Sequence, residues 1–162
     1  MKKSGINNNI FLDSSILIEY IKQSKIEIFE SLINNKEIVL HINSIVMSEF
    51  IFYLIAYKSN RSPLSCKEAK ITPNLLRETN PTTFLSQFSF VNTTEPSFVE
   101  ISVNLMEKYN LLPNDALILA TCIIKNISCI ASYDKDFIEV CEKEKILLIN
   151  DVEKINQLLS KK

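Results

Sequence analysis

The side chains best placed to do chemistry are five acids, four at the ends of apolar runs and one inside such a run: Asp13, Asp115, Asp134 and Asp136, and Glu49. Asp13 closes Ile10-Phe11-Leu12, and Asp134 and Asp136 follow Cys129-Ile130-Ala131. Asp115 opens the apolar stretch Ala116 to Ile124. Glu49 sits among Ile45, Val46, Phe50, Phe52 and Tyr53, where an acid is costly unless it has a purpose or a route to solvent. Carboxylates that converge on one place repel one another, which raises their pKa values or opens the structure unless cations hold them together. Mg²⁺ and Mn²⁺ prefer oxygen ligands, and an all-oxygen site with room for water and phosphate suits metal-assisted phosphodiester cleavage. Each acid also has a structural reading. Asp13 suits a helix cap, Asp115 a helix first turn, Asp134 and Asp136 a turn, and Glu49 a path to solvent. Taken together, two strand ends and two helix starts favour a metal site.

Composition removes several other chemistries. Gly5 is the only glycine, so glycine-rich phosphate loops are absent. His41 is the only histidine, which rules out His-rich zinc sites and leaves one residue around which a Ser-His or Cys-His pair could form. Paired carboxylates also serve glycosidases, but those normally use an aromatic-lined cleft, and there is no Trp. Cys66, Cys122, Cys129 and Cys141 have no C-x-x-C spacing and read as reduced core residues. No apolar run approaches the roughly 18 residues of a membrane span, and no secretory signal follows Lys2-Lys3, so a cytoplasmic protein is expected. A net charge of -1 excludes a polybasic binder; any nucleic acid must be met by local patches or metal ions.

The elements that must position the acids alternate between strands and helices. Ile10-Phe11-Leu12 is a first strand, with Asp13 or Ser14 capping the helix Ile16 to Ile21. Ile26 to Ile33 continues as an amphipathic helix. Ile38 to Ile42 is a second strand, followed by a helix capped at Asn43-Ser44 that presents Glu49 and reaches about Tyr57. Phe88-Ser89-Phe90-Val91 is a third strand of alternating character, and Phe98, Ile101, Leu105 and Met106 mark a helix from Pro96 to Tyr109. Pro113 begins the next helix, Cys129 to Ala131 is the fourth strand, and Ile146 to Ile149 is the last, before a helix ending in Lys161-Lys162. The alternation predicts one domain, residues 1–162, of three-layer α/β/α type with a mainly parallel central sheet of four to five strands. In such a sheet the ends carrying Asp13 and Asp134 share one edge. Between Lys58 and Pro81 three prolines break the chain into short pieces. From Lys58 to Arg77 the five basic residues Lys58, Arg61, Lys67, Lys70 and Arg77 face only Glu68, a local balance of 5 - 1 = +4.

Four motifs resemble the PIN-domain ribonucleases, in particular the compact VapC-like toxins of toxin–antitoxin pairs. Ile10 to Ile18 is similar to that family's first motif, and Ser44 to Phe50, with Glu49, to its second. Leu112 to Ala120, with Asp115, is similar to the third, and Ala131 to Phe137, with Asp134, to the fourth. Ser132 stands where the family often has threonine, and Ser15 where it frequently has asparagine or a similar polar residue. The resemblance implies that Asp13, Glu49, Asp115 and Asp134 bind one or two Mg²⁺ or Mn²⁺ ions, supported by Asp136, Ser14 and Ser132. It implies hydrolysis of RNA to 5′-phosphate and 3′-hydroxyl ends, a homodimer and a small antitoxin partner. Arg61, Lys67, Lys70 and Arg77 then become candidates for holding the RNA backbone.

Three other functions bear comparison. A haloacid-dehalogenase-type phosphohydrolase also starts from an Asp after the first strand but needs a second Asp at position 15, which is Ser15. A catalytically silent PIN-like module that only binds RNA or protein would have no use for the full acidic set. A housekeeping RNA-processing nuclease would share every one of these residues with a toxin.

Overall fold

A computed structural model describes residues 8–160. The ends of the 1–162 span, including the Lys161-Lys162 expected to close the last helix, lie outside the described residues. The chain alternates as expected: β1 Asn9–Leu12, α1 Ser14–Ile21, α2 Glu27–Ile33, β2 Val39–Ile42 and α3 Ser44–Ser59. Short helices α4 Pro63–Glu68, α5 Thr72–Thr79 and α6 Pro81–Leu85 follow, each with a proline in its first two positions, where a missing N–H costs nothing. Then come β3 Ser89–Phe90, α7 Ser97–Tyr109, α8 Pro113–Ile124, β4 Cys129–Ala131, α9 Phe137–Lys143, β5 Leu147–Ile149 and α10 Val152–Ser160.

The five strands form one parallel sheet in the order β3-β2-β1-β4-β5. Parallel strands covered on both faces must be apolar throughout. The central pair meets this demand: Ile10, Phe11, Leu12, Ile130 and Ala131 are fully buried. The order reverses at β1. Because parallel crossovers are right-handed, the helices after β1 and β2 are carried to one face and those after β3 and β4 to the other. α1 packs on α3, α7 packs on α8, and α10 reaches α2. Ile16, Leu17, Ile118, Leu119 and Phe137 bring the helices into the same buried cluster as the strands.

β3 departs from expectation. It is two residues long, both exposed, and lacks the alternation read from Phe88 to Val91. It is an edge strand, paired only with β2, so it has little sheet to pack against; Phe88 instead enters the core just before it. Scarcity of glycine also leaves a mark. Among the described residues seven non-glycine residues take positive φ, and four of them are the asparagines Asn60, Asn80, Asn110 and Asn126, all at or next to helix ends. Asparagine is the residue that best replaces glycine there.

Candidate functional site

The reversal between β1 and β4 sets the site. Leu12 is in register with Ala131, so the next residue of each strand, Asp13 and Ser132, emerges side by side at the carboxyl edge. Open parallel sheets hold their ligands at this kind of switch point. Backbone bonds fix both residues: the Asp13 N–H donates to the Ala131 carbonyl at 3.0 Å, and the Ser132 N–H to the Ile149 carbonyl at 3.1 Å.

Asp13 is 4% exposed, and its side chain is oriented by three donors that all fall on Oδ2. Ser15 Oγ donates at 2.5 Å, Ser132 Oγ at 2.7 Å and the Ser15 N–H at 3.3 Å. The bond from the Ser15 N–H also caps α1, so Asp13 does structural work as well. Each hydroxyl has one proton and gives it to Asp13; their oxygens in turn accept from the backbone of the next loop, Ser15 from Tyr133 N–H and Ser132 from Asp134 N–H, each at 3.0 Å. This arrangement saturates Oδ2 and leaves Oδ1 for another partner. Burial raises the Asp13 pKa above its ordinary value, a rise the Ser15 and Ser132 hydrogen bonds oppose and the Glu49 charge adds to.

Asp115 stands in the first turn of α8, which Pro113 begins. One carboxylate oxygen from each of Asp115, Asp134 and Asp136 lies within 4.8 Å of the other two. Asp136, expected in a supporting place, is thus in the tightest group, and Asp13 and Glu49 flank it. Burial, and then the charges of Asp134, Asp13, Glu49 and Asp136, push the Asp115 carboxyl up to about 7. Glu49 is tied to the same region through bonds from Ser14 and Asn114, the neighbours of Asp13 and Asp115. None of the ion pairs among the described residues involves any of the five acids.

Glu49 is half-buried on α3 and accepts two hydrogen bonds, from Ser14 Oγ and from Asn114 Nδ2, both at 2.7 Å. The donors around the acids are therefore hydroxyls, an amide and backbone N–H groups, which orient carboxylates without neutralising them. Such a collection is a poor fit to a folded protein left to itself and a good fit to a hard divalent cation with oxygen ligands.

Two contributors were missed by sequence reasoning. Ser15 counted only as a departure from an expected asparagine, yet its hydroxyl ties Asp13 to the loop after β4. A hydroxyl two residues after a strand-end aspartate was a usable signal. Asn114 adjoins Asp115, but nothing local announced its bond to a residue 65 positions away. The basic residues Arg61, Lys67, Lys70 and Arg77 are all exposed. Arg61 lies past the end of α3, at least ten helical residues, about 15 Å, beyond Glu49, so it is not a member of the acid cluster. His41 stays apart too, with Nε2 bonded to Asn9 Oδ1 at 2.8 Å. The four cysteines are free and buried, with burial holding the Cys141 thiol up at about 12.

A five-stranded parallel sheet with acids gathered at its switch point defines a class of α/β proteins, and the PIN domain model matches residues 10–143. The chain belongs to the PIN domain family. It is 37% identical to Ribonuclease VapC2 of Methanocaldococcus jannaschii over 134 residues, 80% of this chain and 87% of the relative. It is 28% identical to Ribonuclease VapC6 of the same organism over 147 residues, 82% of this chain and 93% of that one. Among solved structures it superposes on a chain of a toxin–antitoxin complex from Klebsiella pneumoniae with a TM-score of 0.55 at 23% identity, covering 81% of this chain and 92% of the other.

Proposed function

We propose that this chain is a divalent-metal-dependent endoribonuclease and the toxin of a type II toxin–antitoxin pair. The observation that carries the reading is the gathering of Asp13, Glu49, Asp115, Asp134 and Asp136 near the β1–β4 switch point, none of them in an ion pair among the described residues. Its family relatives bear the name ribonuclease, and a structural neighbour is part of a toxin–antitoxin complex.

Asp13, Glu49, Asp115 and Asp134 would hold one or two Mg²⁺ or Mn²⁺ ions, and Asp136 adds a fifth carboxylate. When bound, such ions supply a water acidic enough to attack phosphorus at neutral pH and positive charge for the developing phosphorane and leaving 3′ oxygen. The chain's own residues prepare the place. Ser15 and Ser132 occupy Asp13 Oδ2 and leave Oδ1 for a ligand, and the Asp134 carboxylate accepts the Asp136 N–H at 2.9 Å, which fixes the turn between them. Asp115, whose carboxyl is pushed up to about 7 by burial and its neighbours' charges, would be held in its ionised form by a cation that offsets those charges. Arg61, Lys67, Lys70 and Arg77 offer exposed positive charge for the RNA backbone at a distance from the acids. A small antitoxin, a second copy of the chain and a cytoplasmic setting complete the reading; no helix among the described residues is long and apolar enough to cross a membrane.

The test is RNA cleavage by wild type, Asp13→Asn and Asp115→Asn in Mn²⁺ and in EDTA. Cleavage by wild type in Mn²⁺ alone, leaving 5′-phosphate ends, is expected, with both variants down by about 10² or more. Equal rates in all three proteins would overturn the reading.

A further inference from the structure

Both oxygens of Glu49 are held, and the two holders come from different parts of the fold. Ser14 Oγ, at the start of α1, donates to Oε2, and Asn114 Nδ2, in the first turn of α8, donates to Oε1, each at 2.7 Å. Each donor adjoins another acid of the site, Ser14 after Asp13 and Asn114 before Asp115. We propose that Asn114 is a positioning residue: together with Ser14 it clamps the Glu49 carboxylate between Asp13 and Asp115, and it acts on cation binding only through Glu49. This inference rests on the metal-nuclease reading above.

Glu49 needs a clamp. Its side chain has several rotatable bonds and is only half-buried, and its charge opposes those of Asp13 and Asp115. Left alone, repulsion would turn it towards water. A lysine or arginine could hold it, but would cancel the negative charge that draws a cation. An amide and a hydroxyl hold it and leave that charge intact. One donor per oxygen also leaves each oxygen a further lone pair for a ligand.

Among the described residues Asn114 has no packing or capping role. It is exposed, so it fills no core, and it caps nothing: α8 has Leu112 at its cap position and no capping side chain. A surface amide with no packing role and a short bond to a charged carboxylate is spent on orientation.

The experiment measures Mn²⁺ affinity on metal-stripped protein by the loss of free-ion EPR signal, and melting temperature in EDTA. It compares wild type, Asn114→Ala, Glu49→Gln and the double variant. Asn114→Ala should weaken Mn²⁺ binding about five- to tenfold, the size of one ordinary hydrogen bond because this one is exposed to water, with melting in EDTA essentially unchanged. In the Glu49→Gln background the same substitution should change affinity less than twofold, because the residue it acts through is gone. RNA cleavage by Asn114→Ala should fall at limiting Mn²⁺ and recover at excess. Wild-type affinity in Asn114→Ala, or a loss that persists in full beside Glu49→Gln, would overturn the role given to Asn114 and leave the metal site standing. If the wild type takes up no Mn²⁺ at all, the metal-nuclease reading falls, and the clamp with it.

Discussion

Asp115→Asn should make the metal-free protein more stable at alkaline pH while removing its response to Mn²⁺. Burial and the neighbouring carboxylates hold the Asp115 carboxyl at about 7, against an ordinary value of 3.8. Between those two values the folded chain binds the extra proton and the unfolded chain does not, so stability falls as pH rises through this window. Above about 7 both states are ionised and the full penalty remains. The gap corresponds to about 4 kcal/mol, and because water reaches the part-buried carboxyl, about 2 kcal/mol is the stabilisation expected on removing the charge. Asparagine has nearly the same shape, so little packing is lost. The assay is urea denaturation in EDTA at pH 4 and pH 8. The variant should match the wild type at the lower pH and exceed it at the higher one. With Mn²⁺ at about a hundred times its Kd the wild type should regain about 2.7 kcal/mol, and the variant far less. No gain at pH 8, or an equal gain at both pH values, would refute the electrostatic account of the site.

Two further outcomes follow from the same geometry. Ser132→Ala removes one of three donors to Asp13 Oδ2 from a fully buried position and should cost about 1–3 kcal/mol in thermal or urea unfolding at pH 7, together with weaker Mn²⁺ binding; unchanged values of both would show that the hydroxyl does not orient Asp13. Arg61→Glu with Arg77→Glu should weaken RNA binding and flatten its salt dependence, lowering the slope by about two phosphate contacts or more in a filter-binding titration, whereas an unchanged slope would remove the Lys58 to Arg77 segment from the RNA path.

Much of the fold was legible because it rests on short-range rules. Ile10 to Leu12 and Cys129 to Ala131 are uninterrupted apolar runs of strand length, and they are the two most buried strands of the sheet. Pro113 marked the start of α8 through its fixed φ and missing N–H, and Asn43 the cap of α3 through the N–H groups it accepts from, both effects confined to one helical turn. The ends of these elements carry Asp13, Asp115 and Asp134, so three acids could be picked from order and spacing. Glu49 stood out for a different reason: an acid in an apolar helix needs a partner, and the structure supplies two.

What only the tertiary structure decided is which ends meet. The pairing of β1 with both β2 and β4 puts Leu12 beside Ala131, and from that register follow the contacts of Asp13 with Ser132, 119 positions away, and of Ser15 with Tyr133, 118 positions away. Asn114 found Glu49 across 65 positions, and Asp136 joined Asp115 and Asp134 in one group. The two exposed residues of β3 likewise depend on its place at the sheet edge. The physical reason is the range of the forces. Propensity, capping and apolar periodicity act within a few residues and can be read locally. Strand order is settled by burial summed over the whole core, and a side chain's hydrogen-bond partner is known only once that sum has placed it.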